Sequence, residues 1–331
     1  MPAKHVLIVS PASARENNGN WHTASRWAHF LRSRYQVAIA PDCCAGPNAP
    51  DVLIALHARR SAGAVAAFAR ARPGRPCIVV LTGTDLYRDL ASSPEAQASL
   101  EHATHLVLLQ PDGVALLPER VRARVRVIYQ SAPAMRPVTH GQARRHFDIC
   151  MIGHLRSEKD PYTFMRAATL VTAPRVRLLH IGGALESPLG QAATATAATT
   201  TGYQWLGHLP HSFARQRLAR SHAMAICSLM EGGANVIIEA VTCGVPVLAS
   251  DISGNRGMLG HDYAGYFPVG DAAALARLID RSVADPAWYG QLQAQCVRRA
   301  PLFAPERERA ALLALLDEAT AAGDAAGALA S

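Results

Sequence analysis

Runs such as "HVLIVS" (5–10) and "CIVVLTG" (77–83) are apolar at nearly every position rather than at every second one. A strand can be apolar on both faces only if both faces are covered, as in parallel sheets flanked by helices. The pattern predicts strands near 5–10, 36–40, 51–57, 77–82, 104–110 and 125–130. A second set follows near 147–153, 176–182, 203–207, 223–228, 245–249 and 265–268. Helical segments lie between several of them; within 20–34, Trp27, Phe30 and Leu31 fall at helical spacing. The expected fold class is α/β, with two doubly wound Rossmann-like domains facing a cleft.

The chain has 331 residues, enough for two domains of ordinary size. Between the two strand sets, "SAPAMRPVTHGQARRH" (131–146) carries three prolines and a glycine and has no apolar periodicity. The expected division is a first domain over 1–135, a linker over 136–146 and a second domain over 147–305. A C-terminal helix over 306–320 could pack back on the first domain, and 321–331 reads as a flexible tail. The Ala/Thr-rich stretch "GQAATATAATTTG" (190–202) reads as a weak helix or a surface loop. In doubly wound sheets, ligands lie beyond the carboxyl ends of the strands, so the loops after the strands carry the chemistry.

Composition narrows the ligand. Half the residues are hydrophobic and 18% are charged, an ordinary globular balance. No apolar run approaches the roughly 20 residues that span a bilayer. The short run ending at Ser10-Pro11 reads as a first strand rather than a signal peptide. Seven scattered cysteines without a C-x-x-C pair suggest reduced, mostly buried thiols and a cytoplasmic protein. Adjacent Cys43 and Cys44 lack a second ligand pair, which argues against zinc. The net charge of +8 admits nucleic acid, acidic lipid or small anions. Arginines are dispersed, aromatics are 6% and no nucleic-acid motif stands out, which favours small anionic molecules. Stable membrane association is not expected, and the oligomeric state has no signature.

The most informative stretch is "CSLMEGGANVIIEAVTCGVPVLASDISGN" (227–255). A strand delivers Ser228, Glu231 follows, and Gly232-Gly233 are expected to open a helix with Ala234 and Asn235. Backbone N–H groups at such a start suit phosphate. Carboxylates repel phosphate, so Glu231 and Glu239 require a ligand that also carries hydroxyls. Glu231 can accept bonds from a sugar, and Glu239, two turns into the helix, from a ribose. The plainer alternative is a glycine turn followed by two solvated glutamates.

E-x7-E followed by "GVPVLASDISG" resembles the retaining GT-B glycosyltransferases of the glycogen-synthase and sucrose-synthase superfamily. "IGHLRSEKDP" (152–161) is similar to that superfamily's basic loop, which holds the donor diphosphate. Lys159 falls on its lysine position. His154 stands at the usual arginine position, and Arg156 follows two residues later, so the resemblance favours Arg156 for the second contact. Lysine offers a point charge and arginine a bidentate fork. "WLGHLP" (205–210) matches the base-binding stretch, which implies that Leu206, Gly207 and Leu209 frame uracil. A generic strand exit would look the same.

In the first half, "NNGN" (17–20) precedes a helix. Asn20 or Thr23 could simply cap it; alternatively Gly19 and Asn20 reach the donor phosphate or acceptor, with Arg26 on the same helix. His57 ends a strand, and Arg59 and Arg60 follow at the next helix start, where positive charge opposes the helix dipole unless an anion is near. Thr84, Asp85 and Arg88 follow another strand, and Gln110 and Gln130 reach the same rim. His57 can be read as structural or functional; the cluster as a whole favours an anionic acceptor.

With "NNGN", "LIALHARRS", "LTGTDLYRDL" and "MEGGANV", nearly the whole chain resembles one branch of that superfamily, the selenosugar synthases of selenoneine biosynthesis. The resemblance implies a UDP-sugar donor, UDP-N-acetylglucosamine or UDP-glucose, and selenophosphate as nucleophile. The expected catalytic residues are Lys159, Arg156, Glu231, Asp85 and His57. Gly19, Asn20, His154, Leu206, Gly207, Gly232, Gly233, Ala234, Asn235 and Glu239 would bind the donor. Arg26, Arg59, Arg60, Thr84 and Arg88 would bind the acceptor. No D-x-D pair is present and no metal or cofactor is expected. The alternatives are a hexosyltransferase with a hydroxyl acceptor, a non-catalytic UDP-sugar-binding protein and an epimerase of similar fold.

Overall fold

The computed structural model describes residues 3–12, 19–43, 49–135 and 145–330, with backbone only for 323–330. Asn17, Asn18, Cys44 and most of the expected linker lie outside the described residues. The chain divides into two compact units, one of residues 1–130 and 305–331, the other of 131–304.

The first unit holds β1 (His5–Val9), β2 (Gln36–Ala40), β3 (Val52–Leu56), β4 (Cys77–Leu81), β5 (His105–Leu108) and β6 (Val125–Val127) in one sheet, ordered β2-β1-β3-β4-β5-β6. All of its pairings are parallel. Alternate residues face opposite sides. Leu7, Leu53 and Val79 join one core cluster, while Ile8, Ile54 and Val80 join another that includes Trp27. Covering both faces accounts for the continuous apolar runs.

The helix Pro305–Ala330 lies on the Trp27 side, burying Leu312, Leu315, Leu316 and Ala319 there. It is longer than the helix expected over 306–320. Glu308, which is 1% exposed, accepts Trp27 Nε1 at 2.7 Å and Arg26 Nε at 2.8 Å. Arg34 and Arg126 pair with Asp317 and Glu318 further along the same helix.

The second unit holds β7 (Phe147–Ile152), β8 (Val176–Ile181), β9 (Tyr203–Trp205), β10 (Ala223–Ile226), β11 (Val247–Ser250) and β12 (Tyr266–Phe267), ordered β12-β11-β10-β7-β8-β9. These pairings are parallel as well. Most of the Ala/Thr-rich stretch that could be helix or loop lies in a helix, Ser187–Thr199, and its last three residues form the turn that follows. Each sheet reverses its direction of growth beside its first strand, at β1/β3 and at β7/β10. The carboxyl ends of those pairs are where doubly wound sheets take ligands. Among the described residues no helix is long and apolar enough to cross a membrane.

Candidate active-site residues of the two units

In the second unit, the loop after β7 is shaped by a close backbone approach. Gly182 has φ +154, and a Cβ there would lie 1.9 Å from the Gly153 carbonyl oxygen. Only glycine leaves room for that contact. The loop then runs beside the exit of β8, with Leu155 N–H bonded to Gly183 O and Leu185 N–H to Leu155 O. The Glu186 carboxylate accepts the Ser157 N–H at 2.7 Å and the Ser157 hydroxyl at 2.6 Å, which anchors the tight turn Ser157–Lys159. Asp160, in left-handed backbone at φ 44, ends the turn and caps the helix Pro161–Leu170 through the Thr163 N–H. The turn lays the Lys159 stem along Gly153, where a Cβ would be 3.7 Å from Lys159 Cδ.

The Lys159 ammonium donates to Glu231 Oε1. The Ser228 hydroxyl donates to the same oxygen at 2.6 Å. A backbone bond from Leu229 N–H to Glu158 O ties the two loops together at 2.9 Å. Lys159 and Glu231 are thus brought into one ion pair, with side chains 17% and 11% exposed.

The glycines sit differently from expectation. Gly232-Gly233 form a bend, and the helix begins at Asn235, running Asn235–Thr242 with Ala234 at its N-cap. Glycine is a poor helix residue because helical backbone costs it the most conformational freedom, so the turn ends before the helix starts. Ala234 has no side-chain acceptor, and no side-chain cap bond is made. First-turn amides therefore remain suited to an anion.

Glu239 is 8% exposed, and its Oε1 accepts from His211 Nε2 at 2.6 Å. Arg215 Nε lies 4.0 Å away, and Arg215 Nη2 donates to Pro133 O at 2.7 Å. The hydrogen bond to Glu239 raises the His211 pKa above its ordinary value, against the effect of burial. His154 stacks on His208, with ring centroids 5.7 Å apart and planes within 10°. Gly183 N–H donates to His154 Nδ1 at 3.2 Å, which leaves the proton of the neutral ring on Nε2. Burial, aided by His208, Arg156 and Lys159, lowers the His154 pKa. Arg156 is exposed at the head of its turn. Leu206 and Gly207 (φ +68) follow β9, with Leu206 N–H on His180 O at 2.8 Å.

In the first unit, the exits of β3 and β4 are locked together by Asp85, which is fully buried. Its carboxylate accepts backbone N–H groups of Ala58 (2.9 Å), Thr82 (2.9 Å) and Gly83 (2.8 Å). It opens a π-helical turn, Asp85–Asp89, and the Leu90 N–H reaches back to Asp85 O. His57 is 2% exposed with φ 73, a left-handed conformation uncommon outside glycine. Its Nδ1 accepts the Arg60 N–H at 3.4 Å, and Nε2 lies 3.1 Å from Thr84 Oγ1. Burial, helped by Arg60 and Arg59 and opposed by Asp85 and Asp89, lowers the His57 pKa.

Asp89 gathers the arginines, taking Arg59 Nε at 2.7 Å and Arg88 Nε at 3.4 Å. Burial opposes its ionisation, but the Arg59 and Arg88 hydrogen bonds outweigh that and hold its carboxyl low. His57, Arg59, Arg60, Thr84, Asp85 and Arg88 therefore form one cluster. Arg26 is elsewhere, held on Glu308. Gly19 and Asn20 open the helix Gly19–Leu31, so neither Asn20 nor Thr23 is its N-cap; the Thr23 hydroxyl instead donates to Gly19 O at 2.8 Å.

Sequence reasoning missed His211, Arg215 and Asp89. Asp89 had a readable signal, since it lies four residues after Asp85 and so on the same helix face. His211 and Arg215 had none, because they meet Glu239 through folding of separate elements.

Two parallel doubly wound sheets with these strand-end clusters define a GT-B architecture. The model of the family "Glycosyl transferases group 1" matches residues 139–303. That match covers just under half of the chain, and the likeness to solved GT-B structures shows the fold. A Xenopus tropicalis protein, "Glycosyltransferase 1 domain-containing protein 1", is 24% identical over 293 residues, covering 78% of this chain and 83% of that protein. Anabaena HepE, solved with UDP, is similar in structure with a TM-score of 0.74 at 16% identity, covering 95% of this chain and all of that one. The sucrose-phosphate synthase of Thermosynechococcus elongatus also gives 0.74, at 18% identity, covering 96% of this chain and 99% of that one.

Proposed function

We propose that the protein transfers a hexosyl or N-acetylhexosaminyl group from a UDP-sugar to selenophosphate, forming a 1-selenosugar. The observation that carries the donor half is the Lys159–Glu231 pair, whose glutamate shortly precedes the uncapped helix start at Asn235, with Glu239 on that helix. Lys159, Arg156 and the amides around Ala234 would meet the diphosphate, Glu231 the sugar and Glu239 the ribose. HepE has been solved with UDP and with UDP-glucose, which supports a UDP-sugar donor here.

In the reaction, the bond from the anomeric carbon to the diphosphate oxygen breaks and UDP leaves with the electron pair. A selenium lone pair forms the new bond to carbon, so no proton need be removed from the nucleophile. The product is a selenophosphate Se-glycoside, whose Se–P bond water then cleaves to give the 1-selenosugar and phosphate. Charge growing on the leaving oxygen is met by Lys159 and Arg156 without a metal, an electrostatic contribution that is usually the largest in catalysis. Arg59, Arg60, Arg88 and Thr84, set around His57, would receive the acceptor's phosphate. Asp85 acts there by fixing the loops rather than by touching substrate.

A second reading, transfer to a hydroxyl acceptor, is favoured by Asp89, which already engages two of the arginines. Incubation with UDP-N-acetylglucosamine or UDP-glucose plus selenophosphate, followed by mass spectrometry, separates the two. A selenium-bearing sugar is expected. Turnover only with a hydroxyl acceptor would reject the selenium reading, and tight UDP-sugar binding without any turnover would reject catalysis.

A further inference from the structure

The hydrogen bonds around Glu231 extend beyond the ion pair into a fully buried chain that the proposed reaction does not itself explain. Ser228, Ser250 and Asn255 are each 0% exposed. The Asn255 amide donates to Ser250 O at 2.9 Å and to Ser250 Oγ at 3.1 Å. The Ser250 hydroxyl donates to Ser228 O at 2.7 Å. The Ser228 hydroxyl donates to Glu231 Oε1 at 2.6 Å. From the other side, Gly254 abuts the Glu231 backbone so closely that a Cβ would lie 2.0 Å from its carbonyl oxygen. Asn255 Oδ1 is left buried without a hydrogen-bond partner. The fold tolerates that orphaned acceptor where Asn255 fixes Ser250, and through it Ser228.

Glu231 Oε1 therefore has two donors of different kinds. Lys159 is a cation on a long side chain, 17% exposed, and an arriving diphosphate competes for it with more than one negative charge. Ser228 is neutral, buried and braced from behind, so the diphosphate neither attracts it nor can reach it. When the lysine leaves, the Ser228 hydroxyl still holds Oε1 in place.

We propose that Ser228 is the positioning residue of Glu231: it retains Oε1, keeping Oε2 presented to the donor's hexose, as Lys159 is drawn from Glu231 to the diphosphate. The diphosphate cation is thus held on the sugar-binding carboxylate and passes from it to the donor. This rests on the reading of Lys159 and Glu231 as donor ligands.

Calorimetric titration with UDP and with UDP-N-acetylglucosamine tests it, because only the second carries a hexose. Ser228→Ala should bind UDP within about twofold of wild type and UDP-N-acetylglucosamine about 10-fold more weakly, the loss expected for one hydrogen bond to a charged group. Glu231→Gln should show the same hexose-specific loss, and adding Ser228→Ala to it should cost little more, since the two act as one unit. Ser228→Thr, which keeps the hydroxyl, should recover part of the hexose increment. Equal weakening of both ligands, no weakening of either, or full additivity of the two substitutions would overturn the proposal while leaving the donor reading intact. Failure of the wild-type protein to bind UDP would overturn the donor reading and this inference with it.

Discussion

Asp85→Asn separates a carboxylate that acts on substrate from one that holds the site's scaffold. The native side chain accepts three backbone N–H groups, from Ala58, Thr82 and Gly83, and is fully buried. An amide has one acceptor oxygen. Placed at the Oδ1 position it keeps Thr82 and Gly83 but turns its NH2 toward the Ala58 N–H. Placed at Oδ2 it keeps Ala58 and opposes Gly83. Either way one buried N–H is left facing a donor, at a cost of about 1–3 kcal/mol. The surviving bonds pass from charge-assisted to neutral, losing about 1 kcal/mol each. Relief of the carboxylate's desolvation offsets part of this, leaving a net loss of about 3 kcal/mol. With a urea slope of about 2 kcal/mol/M, the transition of the first unit should move down by about 1.5 M. Urea unfolding followed by tryptophan fluorescence in a Trp205→Phe, Trp288→Phe background, where the signal comes from Trp21 and Trp27 of this unit, reads the shift. A variant as stable as wild type but without turnover would refute the scaffold role and restore a direct catalytic one.

Lys159→Ala should lower turnover on the order of 100-fold by removing charge stabilisation of the leaving diphosphate, measured as UDP release at saturating donor. Gly182→Ala, with its Cβ 1.9 Å from Gly153 O, should both destabilise the second unit by about 2 kcal/mol in thermal unfolding and weaken UDP binding, because the Lys159 loop must shift. Glu239→Gln should return the His211 pKa toward its ordinary value in an NMR titration. Because that pKa is raised in the folded protein, the stabilising contribution of the pair is complete below the unfolded value near 6.5. It is lost as pH rises through the folded value, so wild type and variant should differ most in acid.

Strand positions were legible because five-residue apolar runs such as Val52–Leu56 and Cys77–Leu81 have few alternatives in a chain of this length. The helix Ser187–Thr199 was ambiguous because Ala and Thr carry little amphipathic pattern, and its helical state follows from packing of Leu189 and Ala193. The helix start at Asn235 was misplaced because a Gly-Gly pair and the cap after it read alike in sequence. Lys159 and Glu231 each carried a motif, whereas their direct pairing across 72 residues did not. Arg26 looked available for ligand because its partner, Glu308, lies 282 residues away in a helix that returns to the first unit.

A crystal structure of the protein with UDP tests the central claim most directly. The account predicts diphosphate oxygens within hydrogen-bond distance of Lys159 Nζ and the amides at the start of the helix Asn235–Thr242. The ribose hydroxyls should lie on Glu239, and Ser228 should still be bonded to Glu231 Oε1. UDP bound away from these residues, or bound with Lys159 still paired only to Glu231, would contradict it.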